Sequence, residues 1–383
     1  MRILVTGGGT GGHVAPAIAV ASALRARHPD IVLRYVGARG GLEERLAGEA
    51  GIDFDGVAVG KLRRSSRGIL GMITARNLVD LARVPLGIAQ AFGVVTRFRP
   101  DAVLSTGGYV CVPAVIAAAL RGIPVLAHEQ TVTVGLANRI AARFARTVAL
   151  SFEGARGSLP KHRAEQAIVT GNPVRAEVLA GDRARAARRF GFDPADDGLP
   201  CVYVTGGAQG SRLVNRAVVA AIPALAARAR VLHQCGAGEE PEVSTAHAAA
   251  PPEVRRRWRV VPFLPADAVG DAWALCDLLI GRSGAGTVSE ACAVGRPAVF
   301  VPLQPASGDE QMRNARWMEA LGGAVVLPQS ECDGAAIEAL VGGLLDYPER
   351  RAQMADAARG AGRRDAAERI ADLLTALARG EAA

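Results

Sequence analysis

Ile3-Leu4-Val5-Thr6-Gly7-Gly8-Gly9-Thr10-Gly11-Gly12-His13 is a short apolar run that breaks into glycine and stops on a histidine, and its reading decides the fold. With the helix formers of Pro16-Ala17-Ile18-Ala19-Val20-Ala21-Ser22-Ala23-Leu24 behind it, it reads as strand, tight turn and helix. Glycine lets a backbone approach a ligand without a Cβ, and the N–H groups that open a helix favour an anion. A bound phosphate is therefore one reading of the turn, and a plain strand-to-helix connection is the other. Gly7, Gly9 and Gly12 also meet the G-x-G-x-x-G spacing of dinucleotide-binding folds, where a carboxylate closing the second strand holds a ribose. Here the second apolar run, residues 31–36, ends in Gly37-Ala38-Arg39, so that carboxylate is missing.

Outward from this unit, apolar runs at 102–104, 124–127 and 147–150 alternate with helical stretches, the pattern of a doubly wound parallel sheet. The opening then repeats about 200 residues on, as Cys201-Val202-Tyr203-Val204-Thr205-Gly206-Gly207-Ala208-Gln209-Gly210-Ser211. Further strands are expected at 231–233, 260–261, 278–280, 298–301 and 324–327, and a helix over 362–378. Two similar nucleotide-fold domains follow, with the crossing punctuated by Gly171-Asn172-Pro173.

The length of 383 residues suits two domains, and a half-hydrophobic composition poor in aromatics suits helices on buried parallel strands. The net charge of +8 comes from Arg, which permits phosphorylated substrates, an anionic membrane or nucleic acid as partners, although genomic base composition produces the same bias. The six cysteines, Cys111, Cys201, Cys235, Cys276, Cys292 and Cys332, form no C-x-x-C pair and read as core residues of a reduced, cytoplasmic protein. The chain begins directly on a strand, so no signal peptide is expected, and no apolar run reaches the ~20 residues that span a bilayer.

Two further stretches carry polar chemistry. In Gly281-Arg282-Ser283-Gly284-Ala285-Gly286-Thr287-Val288-Ser289-Glu290 the Gly-Ala-Gly turn exposes N–H groups, Thr287 is expected to open a helix, and Glu290 suits a vicinal diol such as a ribose. A Thr287/Glu290 capping box is the structural alternative. Downstream, Gln304, Asp309, Glu310, Gln311 and Asn314 form a plausible grip on a sugar. In residues 61–76 the basic Arg63, Arg64 and Arg67 abut the apolar Ile69, Leu70, Met72 and Ile73, which suits either an anionic membrane surface or a basic loop leading into a core-facing helix.

Four segments together resemble the bacterial MurG family of glycosyltransferases. They are Gly8-Gly9-Thr10-Gly11-Gly12-His13-Val14; Gly107-Gly108-Tyr109-Val110 with His128-Glu129-Gln130; Gly171-Asn172-Pro173-Val174-Arg175; and Arg282-Ser283-Gly284-Ala285 with Thr287-Val288-Ser289-Glu290. Their order and spacing match over essentially the whole chain. The resemblance implies an α/β GT-B fold, two Rossmann-like domains facing across a cleft. Residues 1–168 would be the acceptor-binding, membrane-facing domain, with 362–383 packing back on it, and 169–361 the UDP-sugar domain. It implies transfer of N-acetylglucosamine from UDP-N-acetylglucosamine to lipid I, the undecaprenyl-diphospho-muramoyl-pentapeptide, at the cytoplasmic face of the membrane. The partners expected are those two substrates and an anionic membrane surface, with no nucleic acid.

By the same resemblance Glu290 would hold the ribose, and Ser283, Gly284, Ala285 and Thr287 the diphosphate. Leu264 would pack near the uracil, Arg175, Ala208 and Gln209 would lie beside the nucleotide, and Glu310 and Gln311 would contact the sugar. Thr10, Gly11, Gly12, Gly108, Tyr109, His128, Gln130 and Asn138 would form the acceptor pocket. The implied chemistry is a single inverting displacement. His13 is the candidate base because imidazole accepts a proton near neutral pH, with Glu129 as an alternative base or as the group that orients His13. Helix N-termini would stabilise the leaving diphosphate, so no metal or cofactor is expected. The chain departs from the family pattern at Thr131, Ala208, Gly286 and Glu310. A related transferase with a soluble acceptor and a UDP-sugar epimerase are the alternative functions.

Overall fold

The computed structural model describes residues 1–60, 75–196, 198–304 and 309–381. The chain divides into two units, Met1–Arg175 with Asp365–Ala383, and Ala176–Arg364. The boundary thus falls after Arg175 rather than at 168/169, because residues 168 and 169 form the last strand of the first sheet. The stretch carrying Arg63, Arg64, Arg67, Ile69, Leu70, Met72 and Ile73 lies outside the described residues.

The first unit holds strands β1 (Arg2–Thr6), β2 (Val32–Ala38), β3 (Asp53–Val57), β4 (Ala102–Ser105), β5 (Val125–Glu129), β6 (Thr147–Leu150) and β7 (Ile168–Val169). They pair in the order β3-β2-β1-β4-β5-β6-β7, all parallel. Both faces are buried, which is why the strands read as continuous apolar runs. Along β1, Leu4 joins one core with Val94, Val115 and Ala141, while Ile3 and Val5 join the opposite core with Val20 and Leu24. The C-terminal helix Ala366–Ala378 inserts Ile370, Leu374 and Leu377 into that second core. Each such buried side chain contributes about 2 kcal/mol relative to exposure.

β3 is absent from the sequence reading because Asp53-Phe54-Asp55-Gly56-Val57 is a poor strand by composition. It forms as a sheet edge, where Arg34 of β2 bonds both Asp53 (3.1 Å) and Asp55 (2.9 Å) across the strands.

The second unit holds β8 (Cys201–Thr205), β9 (Arg230–Gln234), β10 (Trp258–Val261), β11 (Leu278–Gly281), β12 (Ala298–Phe300) and β13 (Ala324–Val326), in the order β10-β9-β8-β11-β12-β13, again all parallel. In both sheets the order reverses once, between β1 and β4 and between β8 and β11. Ligands in such folds bind outside the carboxyl ends of the strands at that reversal. The glycine motifs follow those four strands.

The six cysteines are free thiols and five are buried. Burial pushes the Cys111 thiol up to about 11, which keeps it protonated and inert. Among the described residues no helix is long and apolar enough to cross a membrane.

Candidate functional site

In the first unit the helix behind β1 runs Gly11–Arg27, starting ahead of the expected Pro16, so Gly11, Gly12 and His13 form its first turn. Thr10 stands at its cap and makes no side-chain cap bond, which leaves the exposed Gly11 and Gly12 with amides open to a ligand. The loop after β4 clasps this turn. Gly8 N donates to Gly107 O (3.1 Å), and Thr106 Oγ1 donates to the His13 carbonyl (2.7 Å). Gly108 sits at φ +76°, where a Cβ would lie 2.1 Å from Gly8 O, so only glycine allows the approach. Gly108 and Tyr109 are half-buried beside this turn, with Tyr109 against Gly9.

The glycine turn does have its carboxylate. Glu43, in the helix Leu42–Glu49 beyond β2, is buried under the loop and accepts from Ala38 N (3.1 Å) and Gly9 N (3.3 Å). The sequence spacing places such an acid at the end of β2, whereas Glu43 stands in the first turn of the helix that follows. Glu43 bonds the protein's own backbone, so part of the turn's anion-binding capacity is satisfied internally.

His13 Nδ1 lies 2.8 Å from Gln130 Oε1 and 3.1 Å from Thr106 O. Glu129 is placed differently from the expectation that it is a base or orients His13. It is buried, and its carboxylate accepts from Thr131 N (3.0 Å), Thr131 Oγ1 (2.8 Å), Gly135 N (3.0 Å) and Asn138 Nδ2 (2.9 Å). Those bonds use both oxygens to hold the loop behind β5, and Thr131, a departure from the family pattern, supplies two of them. His128, Gln130 and Asn138 are likewise buried and bonded to one another, so they stand behind the glycine turn rather than on the surface where an acceptor would meet them. Of the residues expected to meet the acceptor, Thr10, Gly11 and Gly12 face solvent, and His13, Gly108 and Tyr109 are half-buried.

In the second unit the loops after β8 and β11 meet at the reversal. Arg282, whose side chain the sequence reading gave no role, donates to Ser211 Oγ (3.1 Å) and Val301 O (2.9 Å). Burial lowers the pKa of its guanidinium from the ordinary value. Behind it the helix Ala285–Val294 starts at a Gly284 cap with no side-chain bond. Thr287 therefore lies inside the first turn and does not open the helix. Nor do Thr287 and Glu290 form a capping box, because the cap is Gly284; Trp273 Nε1 donates to Glu290 Oε2 (2.9 Å). The first-turn amides of Ala285, Gly286 and Thr287 have no side-chain cap, a geometry that suits an anion, and open space lies where a Gly286 Cβ would project.

Ser283 is buried, and its hydroxyl donates to Gln311 O (2.7 Å) while Asn314 Nδ2 donates to its carbonyl (3.1 Å). Those bonds tie the helix Glu310–Ala320 to the β11 loop, so Ser283 holds the turn with its side chain and is not an open hydroxyl donor. The Gln311 side chain accepts from Leu303 N (3.0 Å), and Glu310 is half-buried at the start of that helix. Ala208 and Gln209 are exposed on the β8 loop, Leu264 is buried after β10, and the half-buried Arg175 ends the first segment of the first unit.

The profile of the glycosyltransferase family 28 N-terminal domain matches residues 3–150, and that of the family's C-terminal domain matches residues 201–370. Over 377 residues the chain is 40% identical to a Nitratidesulfovibrio vulgaris protein named UDP-N-acetylglucosamine--N-acetylmuramyl-(pentapeptide) pyrophosphoryl-undecaprenol N-acetylglucosamine transferase, covering 98% of this chain and 97% of that one. A protein of the same name from Nocardioides sp. is 39% identical over 394 residues, with 100% of both chains covered. A crystal structure of Acinetobacter baumannii MurG matches with TM-score 0.74 at 27% identity, covering 98% of this chain and 99% of that one. A UDP-GlcNAc 2-epimerase from Neisseria meningitidis, bound to UDP-GlcNAc, matches with TM-score 0.67 at 15% identity over 98% of this chain and 100% of that one, a likeness of fold.

Proposed function

The chain belongs to glycosyltransferase family 28 and, within it, to the MurG family, and from that premise we propose that it transfers N-acetylglucosamine from UDP-N-acetylglucosamine to the C4 hydroxyl of lipid I in peptidoglycan synthesis. The observation that carries the reading is likeness at 39–40% identity, over both units, to proteins named for that transfer. In this reading the second unit takes the donor. Its diphosphate meets the open first-turn amides of Ala285, Gly286 and Thr287, and Glu290, steadied by Trp273, takes the ribose hydroxyls. Leu264, Ala208, Gln209, Glu310 and Gln311 border the nucleotide and sugar, and Arg282 adds positive charge beside the β8 loop.

The first unit takes the acceptor, its diphosphate at the amides of Gly11 and Gly12. His13 accepts the proton of the C4 hydroxyl as that oxygen bonds to the anomeric carbon. The bond from that carbon to the donor phosphate breaks, and UDP leaves with the electron pair, so the configuration inverts. The growing charge on UDP falls on backbone amides and a helix N-terminus, which are preorganised for it.

The reading includes peripheral attachment at the cytoplasmic face of the membrane through Arg63, Arg64, Arg67, Ile69, Leu70, Met72 and Ile73. In support, the helix that follows, Ala75–Phe98, exposes Leu86 and Phe92. Leu120, at the end of the helix Cys111–Leu120, is also exposed, and the Arg121 guanidinium stacks over the Phe92 ring at 5.6 Å.

The deciding experiment is a transfer assay with purified protein, labelled UDP-N-acetylglucosamine and a lipid I analogue. UDP release that requires the acceptor, with a disaccharide product, is expected. Release without any acceptor of the 2-epimer of the donor sugar would instead identify an epimerase. Transfer to a soluble sugar with no binding to anionic vesicles would identify a transferase of another acceptor.

A further inference from the structure

Behind His13 a file of hydrogen bonds runs to Gly171, and the chemistry of each partner dictates where its protons sit. Gly171 O only accepts, so its 3.0 Å contact with His128 Nε2 requires a proton on that nitrogen. His128 is fully buried, and burial holds its pKa down to about 4, so the ring is neutral and its Nδ1 is bare. That nitrogen accepts from Gln130 Nε2 at 2.9 Å, and the same amide nitrogen also donates to the His128 carbonyl at 3.0 Å. A carbonyl cannot donate, so this end of Gln130 is the NH₂ group and the other end is the oxygen. Gln130 Oε1 and Thr106 O then both face His13 Nδ1, at 2.8 and 3.1 Å. Two acceptors on one ring nitrogen put the His13 proton on Nδ1 and the lone pair on Nε2, which makes no hydrogen bond to the described residues.

We infer that His128 and Gln130 are positioning residues that fix the tautomer of His13, leaving Nε2 as the nitrogen that receives the acceptor's hydroxyl proton. The inference rests on the reading of His13 as the base. It also gives the buried His128 and Gln130 work that requires no contact with the acceptor, and it explains the Gly171 turn, whose carbonyl anchors the far end of the file. Gly171, at φ +87°, holds a backbone conformation that suits glycine.

The test is ¹⁵N NMR of protein labelled at its six histidines, with His13→Gln identifying the His13 signals. The expected spectrum has His13 protonated at Nδ1 and bare at Nε2, and His128 the reverse. Gln130→Leu, which removes the nearer acceptor but leaves Thr106 O, is expected to move the His13 signals toward a tautomer mixture. It should lower kcat about tenfold with both KM values within about twofold, a fraction of the whole general-base effect. Gln130→Glu keeps an oxygen for the Nδ1 proton and is expected to recover most of the lost kcat. A wild-type spectrum with the proton on His13 Nε2 overturns the inference without reference to any activity, and so does a Gln130→Leu variant with unaltered His13 signals and unaltered kcat. Full activity of His13→Ala overturns the base reading itself, while the spectra report the tautomer independently of it.

Discussion

The indole Nε1 of Trp273 donates to Glu290 Oε2 at 2.9 Å, so a side chain from the helix Ala266–Leu275 sets the carboxylate of another helix at the β8/β11 reversal. Trp273 is itself held edge-on against Tyr203 (centroids 5.6 Å apart), whose hydroxyl donates to Gln234 Oε1 (2.7 Å). Thr205 Oγ1 also lies within bonding distance of that oxygen (3.2 Å) and accepts from Gly207 N (3.0 Å), so the Glu290 carboxylate and the β8 glycine loop share one framework.

Trp273→Phe should therefore weaken donor binding more than turnover. Losing a bond to a charged group that water partly replaces raises the KM for UDP-N-acetylglucosamine about tenfold, with kcat within about twofold. Steady-state kinetics with the donor varied would check it, and an unchanged KM would separate Trp273 from donor binding.

His13→Ala should lower kcat by about 10²- to 10³-fold and leave donor affinity nearly unchanged, as expected for removal of a general base. Single-turnover transfer combined with calorimetric titration of UDP distinguishes lost chemistry from lost binding.

Gly108→Ala places a methyl group 2.1 Å from Gly8 O and 3.2 Å from His13 Cδ2, in a backbone conformation at φ +76° that alanine resists. A loss of about 3 kcal/mol is expected, since a left-handed conformation costs a non-glycine residue on that scale and the clash adds to it. Thermal melting should show a lower Tm, and kcat should fall because the ring of His13 is displaced.

Stability should decline on the acid side. Burial lowers His128 to about 4 and His233 to about 3, while both rings titrate near 6.5 in the unfolded chain. Below that value the unfolded chain binds protons that the folded chain refuses, so unfolding free energy falls as pH falls, by about 1.4 kcal/mol per pH unit for each histidine. Tm should drop steadily from about pH 7 to about pH 4.5, and His233→Gln should flatten the slope. A pH-independent Tm over that range would contradict the neutral buried rings.

Asp271 is buried, accepts from Asp182 N (3.1 Å) and from Arg185 at its Nε (2.9 Å) and a terminal nitrogen (2.6 Å), and forms an ion pair with Arg189 Nε (3.1 Å). Burial opposes its ionisation, but the Arg185 bonds and the Asp182 amide prevail and hold the carboxyl below its ordinary range. Asp271→Ala should destabilise the second unit by about 2 kcal/mol, less than for a fully buried pair, because both arginines can turn to water. Urea denaturation would measure it.

The amino-acid sequence by itself determined the two β-glycine-α openings, the parallel sheets and the family, because these rest on local chemistry. Apolar runs buried on both faces, glycines at positive φ and helix formers behind them leave few other solutions. The glycine motifs were legible as turns that follow strands, but that these strands border the reversals of the two sheets is a fact of strand order. Five of the six cysteines were legible for the same reason, as small apolar groups in buried runs, while Cys332 is partly exposed.

The tertiary structure alone decided what each polar group bonds. Glu43 meets Gly9 across 34 positions and Gln130 meets His13 across 117, while Glu129, beside Gln130 in sequence, turns to Thr131, Gly135 and Asn138 instead. A polar side chain inside a parallel sheet must find a partner or lose hydration without replacement, and strand order supplies the partner. That order, β3-β2-β1-β4-β5, is set by packing across the whole unit. It cannot be read from any one motif, and so the contact of Gln130 with His13 became visible only in the folded chain.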